Sequence, residues 1–281
     1  MVSSMKYGDD YKFLPVTSKE NGKGIEVLSD LYQYTVQIVN VIFYGNPDDN
    51  QFVLIDAGMP KSSEKIIEAA KERFGENSRP KAIILIHGHF DHVGAVIELA
   101  EYWDVPVYAH KLELPYLNGM EDYQAPDPSV DGGMVAKMSP VFPKKGIDIT
   151  ARLHELPADG SVPYMPDFEW IHTPGHTKGH VSLYRNKDKA LIAGDAFVTV
   201  KQDSLYNVMT QEKNIYGPPS YFTPDWEAAK ASVEKLASVS PEAAITGHGQ
   251  PMMGQELKDE LSKLANNFDE IAKPDSGKYT E

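Results

Sequence analysis

The sequence predicts an α+β chain folded as a four-layer αββα sandwich. Three observations predict it: short apolar runs end at acids and histidines, helical segments separate those runs, and the order occurs twice. Leu54-Ile55-Asp56-Ala57-Gly58, a helical segment, and Ile83-Ile84-Leu85-Ile86 leading into His87 make one set. Leu191-Ile192-Ala193-Gly194-Asp195, a helical segment, and Ala243-Ala244-Ile245-Thr246 leading to His248 make the other. A weak internal repeat of this kind predicts two sheet-plus-helix layers facing each other, with strand ends from both supplying one site.

The elements follow in order. Residues 1–24 are polar and read as loosely held. Val36 to Tyr44 alternates as a strand, Asn46-Pro47-Asp48-Asp49-Asn50 is a turn, and Phe52-Val53-Leu54-Ile55 is a buried strand. Ser62 or Ser63 caps a helix to about Phe74, with Gly75 beyond its end. After the strand at 83–86 come a helix over 93–103 and a strand at 105–109. Residues 111–148, with five prolines, the Gly132-Gly133 pair and scattered Met and Tyr, read as an insertion serving as a lid over a pocket. Strands resume near 152–156, 168–172, 181–184 and 190–193. A second irregular stretch runs from Phe197 to Thr223. Thr223 is then the expected cap of a helix that has Pro224 in its first turn and reaches Ser238. A strand at 243–246, a helix from Gln255 to Ala272 and a frayed tail complete the chain.

At 281 residues and 41% hydrophobic content the chain can bury one large core, expected as a single domain over 1–281 with its core at about 25–272. Net charge is −14 with no basic block, which argues against a nucleic-acid partner. No apolar stretch approaches the ~20 residues of a membrane span, and the start has no apolar signal core, so a cytoplasmic location without a membrane partner is expected. The expected partners are a small-molecule substrate and, at most, a second copy of the chain in a homodimer. There is no cysteine, so any metal site must use His, Asp or Glu.

The densest chemistry lies in His87-Gly88-His89-Phe90-Asp91-His92. Three imidazoles and a carboxylate in six residues are poor core material, because each needs a polar partner or water. They are good metal ligands. His87 and His89, two apart at a strand end, can aim at one ion; Asp91 and His92 fall in the following turn and can reach a second point. His176, in Thr173-Pro174-Gly175-His176-Thr177, Asp195 and His248 sit just past other strand ends. Taken alone, Asp91 reads better as the cap of the following helix. His110, His154 and His172 belong to no such cluster and read as structural, whereas His180 could support the site or face substrate.

In this order and spacing, His87 to His92, Thr-Pro-Gly-His at 173–176, Gly194-Asp195 and Gly247-His248-Gly249 resemble the metallo-β-lactamase-fold hydrolase superfamily over roughly residues 25–250. The resemblance implies that His87, His89 and His176 hold one metal, that Asp91, His92 and His248 hold another, and that Asp195 bridges them. It also implies that Asp56 supports the site from behind. Two Zn2+ per chain are the expected cofactors, with Mn2+ or Fe2+ as alternatives. The expected activity is a dinuclear hydrolase in which a shared water, its pKa lowered to about 7, attacks a small ester, thioester, lactone or phosphoester. Asp91 and Asp195 are the catalytic residues in this reading.

Departures from subfamily patterns narrow the expectation. The bridging Asp195 and the lack of cysteine argue against a true β-lactamase. Only 33 residues follow His248, too few for the C-terminal helical region of glyoxalase II. Val198 stands where acyl-homoserine lactonases resemble one another in carrying tyrosine, although Tyr206, Tyr216 or Tyr221 could serve. The alternative activity is a mononuclear iron oxidoreductase similar to persulfide dioxygenases. A non-enzymatic scaffold is disfavoured because all seven ligand positions are kept.

Overall fold

The computed structural model describes residues 4–130 and 133–280, so Gly132 of the predicted glycine pair and residues 1–3 of the predicted loose start lie outside them. The chain divides into two compact units. One comprises Met1–Tyr123 and Pro143–Pro166; the other comprises Gln124–Phe142 and Asp167–Glu281. The predicted insertion at 111–148 is therefore shared: its two ends belong to the first unit and its middle to the second.

The first unit is built on a seven-stranded sheet in sequence order. Its strands are β1 (Gly24–Leu28), β2 (Leu31–Val36), β3 (Val39–Tyr44), β4 (Gln51–Ile55), β5 (Arg79–Ile84), β6 (Val107–Ala109) and β7 (Leu153–Glu155). β1 to β4 pair antiparallel, and β4 to β7 pair parallel. Parallel neighbours need long crossovers, which contain helices α1 (Ser63–Phe74), α2 (Val96–Trp103) and the one-turn α3 (Leu114–Leu117). The helices are held by their apolar faces. The Phe52 ring stacks on Phe74 at 4.6 Å and meets Trp103 edge-on at 5.8 Å, joining β4, α1 and α2 through pairs worth about 0.5–1.5 kcal/mol each beyond area burial.

Three expectations are corrected in this unit. The single strand over 36–44 is instead the second half of a β2–β3 hairpin turning at Gln37, whose φ of 57° is left-handed. The strand leading to His87 ends at Ile84, not Ile86, because the Ile86 N–H leaves the ladder and donates to Asp56 Oδ1 at 2.8 Å. Nor is the segment before residue 24 loose throughout. Lys6 and Asp148 exchange backbone hydrogen bonds, Tyr11 Oη donates to the Phe90 carbonyl at 2.9 Å, and Gln37 Nε2 donates to the carbonyls of Leu14 and Val16.

The second unit holds a five-stranded sheet ordered β12-β11-β10-β9-β8. Its strands are β8 (Glu169–His172), β9 (Val181–Arg185), β10 (Ala190–Gly194), β11 (Ala243–Thr246) and β12 (Met252–Met253). Its helices are α4 (Met134–Met138), α5 (Leu205–Thr210), α6 (Trp226–Ser238), α7 (Gly254–Asn266) and α8 (Phe268–Ile271). The predicted repeat is present as topology. β4 and β5 are parallel with α1 between them in the chain, and β10 and β11 are parallel with α6 between them.

Here too the ends differ from expectation. Asp225, not Thr223, caps α6, accepting from the Ala228 N–H at 2.9 Å. The predicted 255–272 helix breaks at Asn267 into α7 and α8. The tail is tied down: the Lys278 N–H donates to Asp127, and Tyr279 Oη donates to the Ala125 carbonyl at 2.8 Å.

Candidate functional site

Each unit gathers one cluster, in the loops just beyond the carboxyl ends of its parallel strands. In open α/β sheets ligands settle at such strand ends. The first cluster grows from two loops fastened together. Ala57 N donates to the His92 carbonyl at 2.7 Å, and Gly94 N donates to the Gly58 carbonyl at 2.7 Å. A Cβ on Gly94 would stand 2.2 Å from the Met59 carbonyl carbon, so only glycine permits this approach. This fastening delays α2 until Val96, with Ala95 at its cap position. Asp91 therefore does not cap the helix.

The fastened loop turns its polar side chains into a common buried space. His87 and His92 are 0% exposed, His89 4% and Asp91 9%. The His87 ring lies 4.8 Å from that of His89 and 4.1 Å from that of His92. Donor atoms of His87 and His89, of His87 and His92, and of Asp91 and His92 lie within 4.8 Å of each other. Asp56, at the end of β4 with φ 61°, supports them. Its Oδ2 accepts from His92 Nδ1 at 2.7 Å while Oδ1 takes the Ile86 N–H. A carboxylate oxygen only accepts, so Nδ1 carries a proton here, and the neutral ring would offer Nε2 to a metal.

In the second unit, Asp195 Oδ2 lies 3.5 Å from His176 Nε2 and 3.3 Å from His248 Nε2, all three side chains being buried. His176 is set by Thr223, whose hydroxyl donates to the Pro219 carbonyl at 2.8 Å and accepts from His176 Nδ1 at 3.3 Å. His180 is fully buried and supports Asp195 from the backbone. Its Nε2 accepts the Asp195 N–H at 2.9 Å, so its proton sits on Nδ1 and goes to Thr173 Oγ1 at 2.9 Å. Thr173 lies 3.0 Å from Ser182 Oγ, which donates to the Ala193 carbonyl at 2.9 Å. This relay begins and ends at the β10 terminus and fixes the backbone that carries Asp195.

These donors fit divalent metals. Two ligands on one tetrahedral ion with bonds of about 2.0–2.2 Å stand about 3.3–3.6 Å apart. The separations of Asp195 Oδ2 from the two imidazoles match that figure.

The remaining histidines lie outside both clusters. His172 Nε2 meets the Lys178 carbonyl at 2.8 Å, and the His154 ring packs on Tyr108. His110, 4% exposed, has its Nδ1 near the Leu112 N–H. Sequence reasoning passed over Glu113, Tyr123 and Tyr11. Glu113 and Tyr123 lie 26 and 36 positions beyond His87 and carry no motif signal. Burial, the largest cause, pushes both tyrosine hydroxyls well above their ordinary range and keeps them as hydrogen-bond donors.

Comparison with known proteins shows the family to which the chain belongs. The family model of the metallo-beta-lactamase superfamily matches residues 34–248. The probable metallo-hydrolase YflN of Bacillus subtilis is 50% identical over 260 residues, covering 92% of this chain and 98% of that protein. The crystal structure of the B3 metallo-beta-lactamase BLEG-1 superposes with a TM-score of 0.56 at 27% identity, covering 86% of this chain and 98% of that one. TTHA1623 in a di-iron-bound form gives a TM-score of 0.50 at 28% identity over 81% of this chain and 92% of that one.

Proposed function

Because the chain belongs to the metallo-β-lactamase superfamily and has its fold, two sheets flanked by helices, we propose that it is a metal-dependent hydrolase working through two divalent ions. His87, His89 and His176 would hold one ion, Asp91, His92 and His248 the other, with Asp195 shared. When bound, the pair supplies an acidified water as nucleophile and positive charge for a developing oxyanion. The observation that carries this reading is one carboxylate oxygen, Asp195 Oδ2, at co-ligand distance from two imidazoles.

The chain's own residues do the positioning. Asp56 and Thr223 each hold an imidazole by Nδ1 and present its Nε2, while His180 holds the Asp195 backbone. Asp91 and Asp195 would offset part of the charge of bound metal, and the remainder would favour an anionic intermediate. The substrate class we propose is a small ester, thioester, lactone or phosphoester.

The test uses protein with defined zinc, manganese or iron content. Turnover of p-nitrophenyl esters, thioesters, lactones, bis-p-nitrophenyl phosphate and a chromogenic β-lactam is measured before and after a strong chelator. Two ions per chain, with activity lost on chelation and restored by metal, is the expected result. Persistent turnover in verified metal-free protein overturns the proposal. One iron per chain with oxygen consumption would replace it with the persulfide-dioxygenase type of chemistry.

A further inference from the structure

We propose that Glu113 and Tyr123 are positioning residues for His87 and His89, bracing the loop between them so that it keeps its metal ion. The inference rests on reading those histidines as ligands, and it gives the first part of the 111–148 insertion a task other than covering a pocket.

Glu113, at the start of α3, is 0% exposed. Its Oε2 accepts the Gly88 N–H at 2.9 Å and the hydroxyl hydrogen of Tyr123. Gly88 is the residue between His87 and His89, so the carboxylate grips the backbone at the midpoint of the ligand pair. Tyr123 also meets the His89 ring edge-on, with centroids 4.6 Å apart at 61°, and is backed by Tyr116 stacked at 4.1 Å. A Cβ at Gly88 would lie 2.3 Å from Tyr123 Oη and 3.0 Å from Leu117 Cδ2, so the loop and its brace are fitted without slack.

Packing alone does not call for this arrangement. A fully buried carboxylate is costly to desolvate, and an apolar side chain of similar size would fill the space more cheaply. What the carboxylate adds is direction, since it aligns one peptide N–H and one phenol that together set the azimuth of the His87-Gly88-His89 backbone. Groups orienting metal ligands from behind are worth about 10–100-fold in metal affinity.

Tyr123→Phe and Glu113→Gln test this in the full chain. Metal affinity is read by competition with a chromogenic chelator, thermal melting is read for the metal-free and loaded forms, and kcat and KM are measured separately on any substrate found. Both variants should fold, bind metal about 10–100-fold more weakly and lose kcat with little change in KM, while the metal-free melting point stays near wild type. Affinity within about twofold of wild type in both variants overturns the proposal. So does a metal-free protein destabilised as much as the loaded one, because the brace would then serve the fold alone. His89→Ala is the separate control: unchanged metal binding there removes the ligand reading itself, whatever the two brace variants do.

Discussion

Replacing Asp56 by asparagine probes the centre through a residue that holds no ion in the proposed scheme. The carboxylate is 1% exposed and accepts twice, from His92 Nδ1 at 2.7 Å and from the Ile86 N–H at 2.8 Å. Asparagine has one acceptor for these two donors. If its oxygen stays on Ile86, its NH2 faces His92 and is satisfied only when the ring accepts at Nδ1. The ring proton then moves to Nε2, the atom a metal needs bare. If the oxygen turns to His92 instead, the Ile86 N–H is left facing an NH2, at a cost of about 1–3 kcal/mol. In the first case the lost orientation weakens binding of the ion at His92 by about 10–100-fold, or about 1.4–2.8 kcal/mol. Metal titration against a competing chelator reads the affinity, and nitrogen-detected NMR reads the His92 tautomer. Both ions bound at wild-type affinity, with Nδ1 still protonated and the melting point unchanged, would refute the reasoning.

Two further outcomes follow from local geometry. Gly175, beside His176, has φ 133°, and a Cβ there would sit 2.4 Å from the Ala229 nitrogen. Gly175→Ala should therefore cost about 1–3 kcal/mol of stability through overpacking and displace His176, with about a hundredfold loss of kcat/KM; wild-type activity in that variant would show that α6 yields. Asp203, which accepts from Ser220 Oγ, has its pKa raised, chiefly by burial. A carboxyl whose folded pKa exceeds its unfolded one favours the fold below the unfolded value, and that favour is lost as pH rises through the folded pKa. Asp203→Asn should accordingly melt higher than wild type at pH 7, by about 2–4 °C for each kcal/mol relieved. The difference should shrink as pH falls below the ordinary carboxylate range, and a variant melting lower at pH 7 would contradict the sign.

Much of the fold could be read along the chain because local patterns carry it. Apolar runs at 52–55, 190–193 and 243–246 form β4, β10 and β11, and Ser62 and Gly75 bracket α1, although the Ser62 side chain makes no cap hydrogen bond. The errors fall where tertiary hydrogen bonds overrode local preference. β5 stops two residues early because Asp56 takes an amide from the ladder, and α2 starts three residues late because Gly94 and Ala95 are fastened to the Asp56 loop. Thr223 looked like a helix cap because of its place before Pro224, yet its hydroxyl is occupied by Pro219 and His176.

The seven proposed ligands were nameable from sequence because metal binding demands rare residue types in tight spacing beside glycines. The side chains that aim them were not, apart from Asp56, which the family resemblance supplied, and His180, read as either supporting the site or facing substrate. Glu113, Tyr123, Thr173 and Thr223 are common residues whose task exists only once distant turns meet, and a hydrogen bond leaves no periodic trace in the chain. Composition and spacing determined which atoms are available to hold an ion. Only the folded backbone decided which ring nitrogen of His92, His176 and His180 carries the proton.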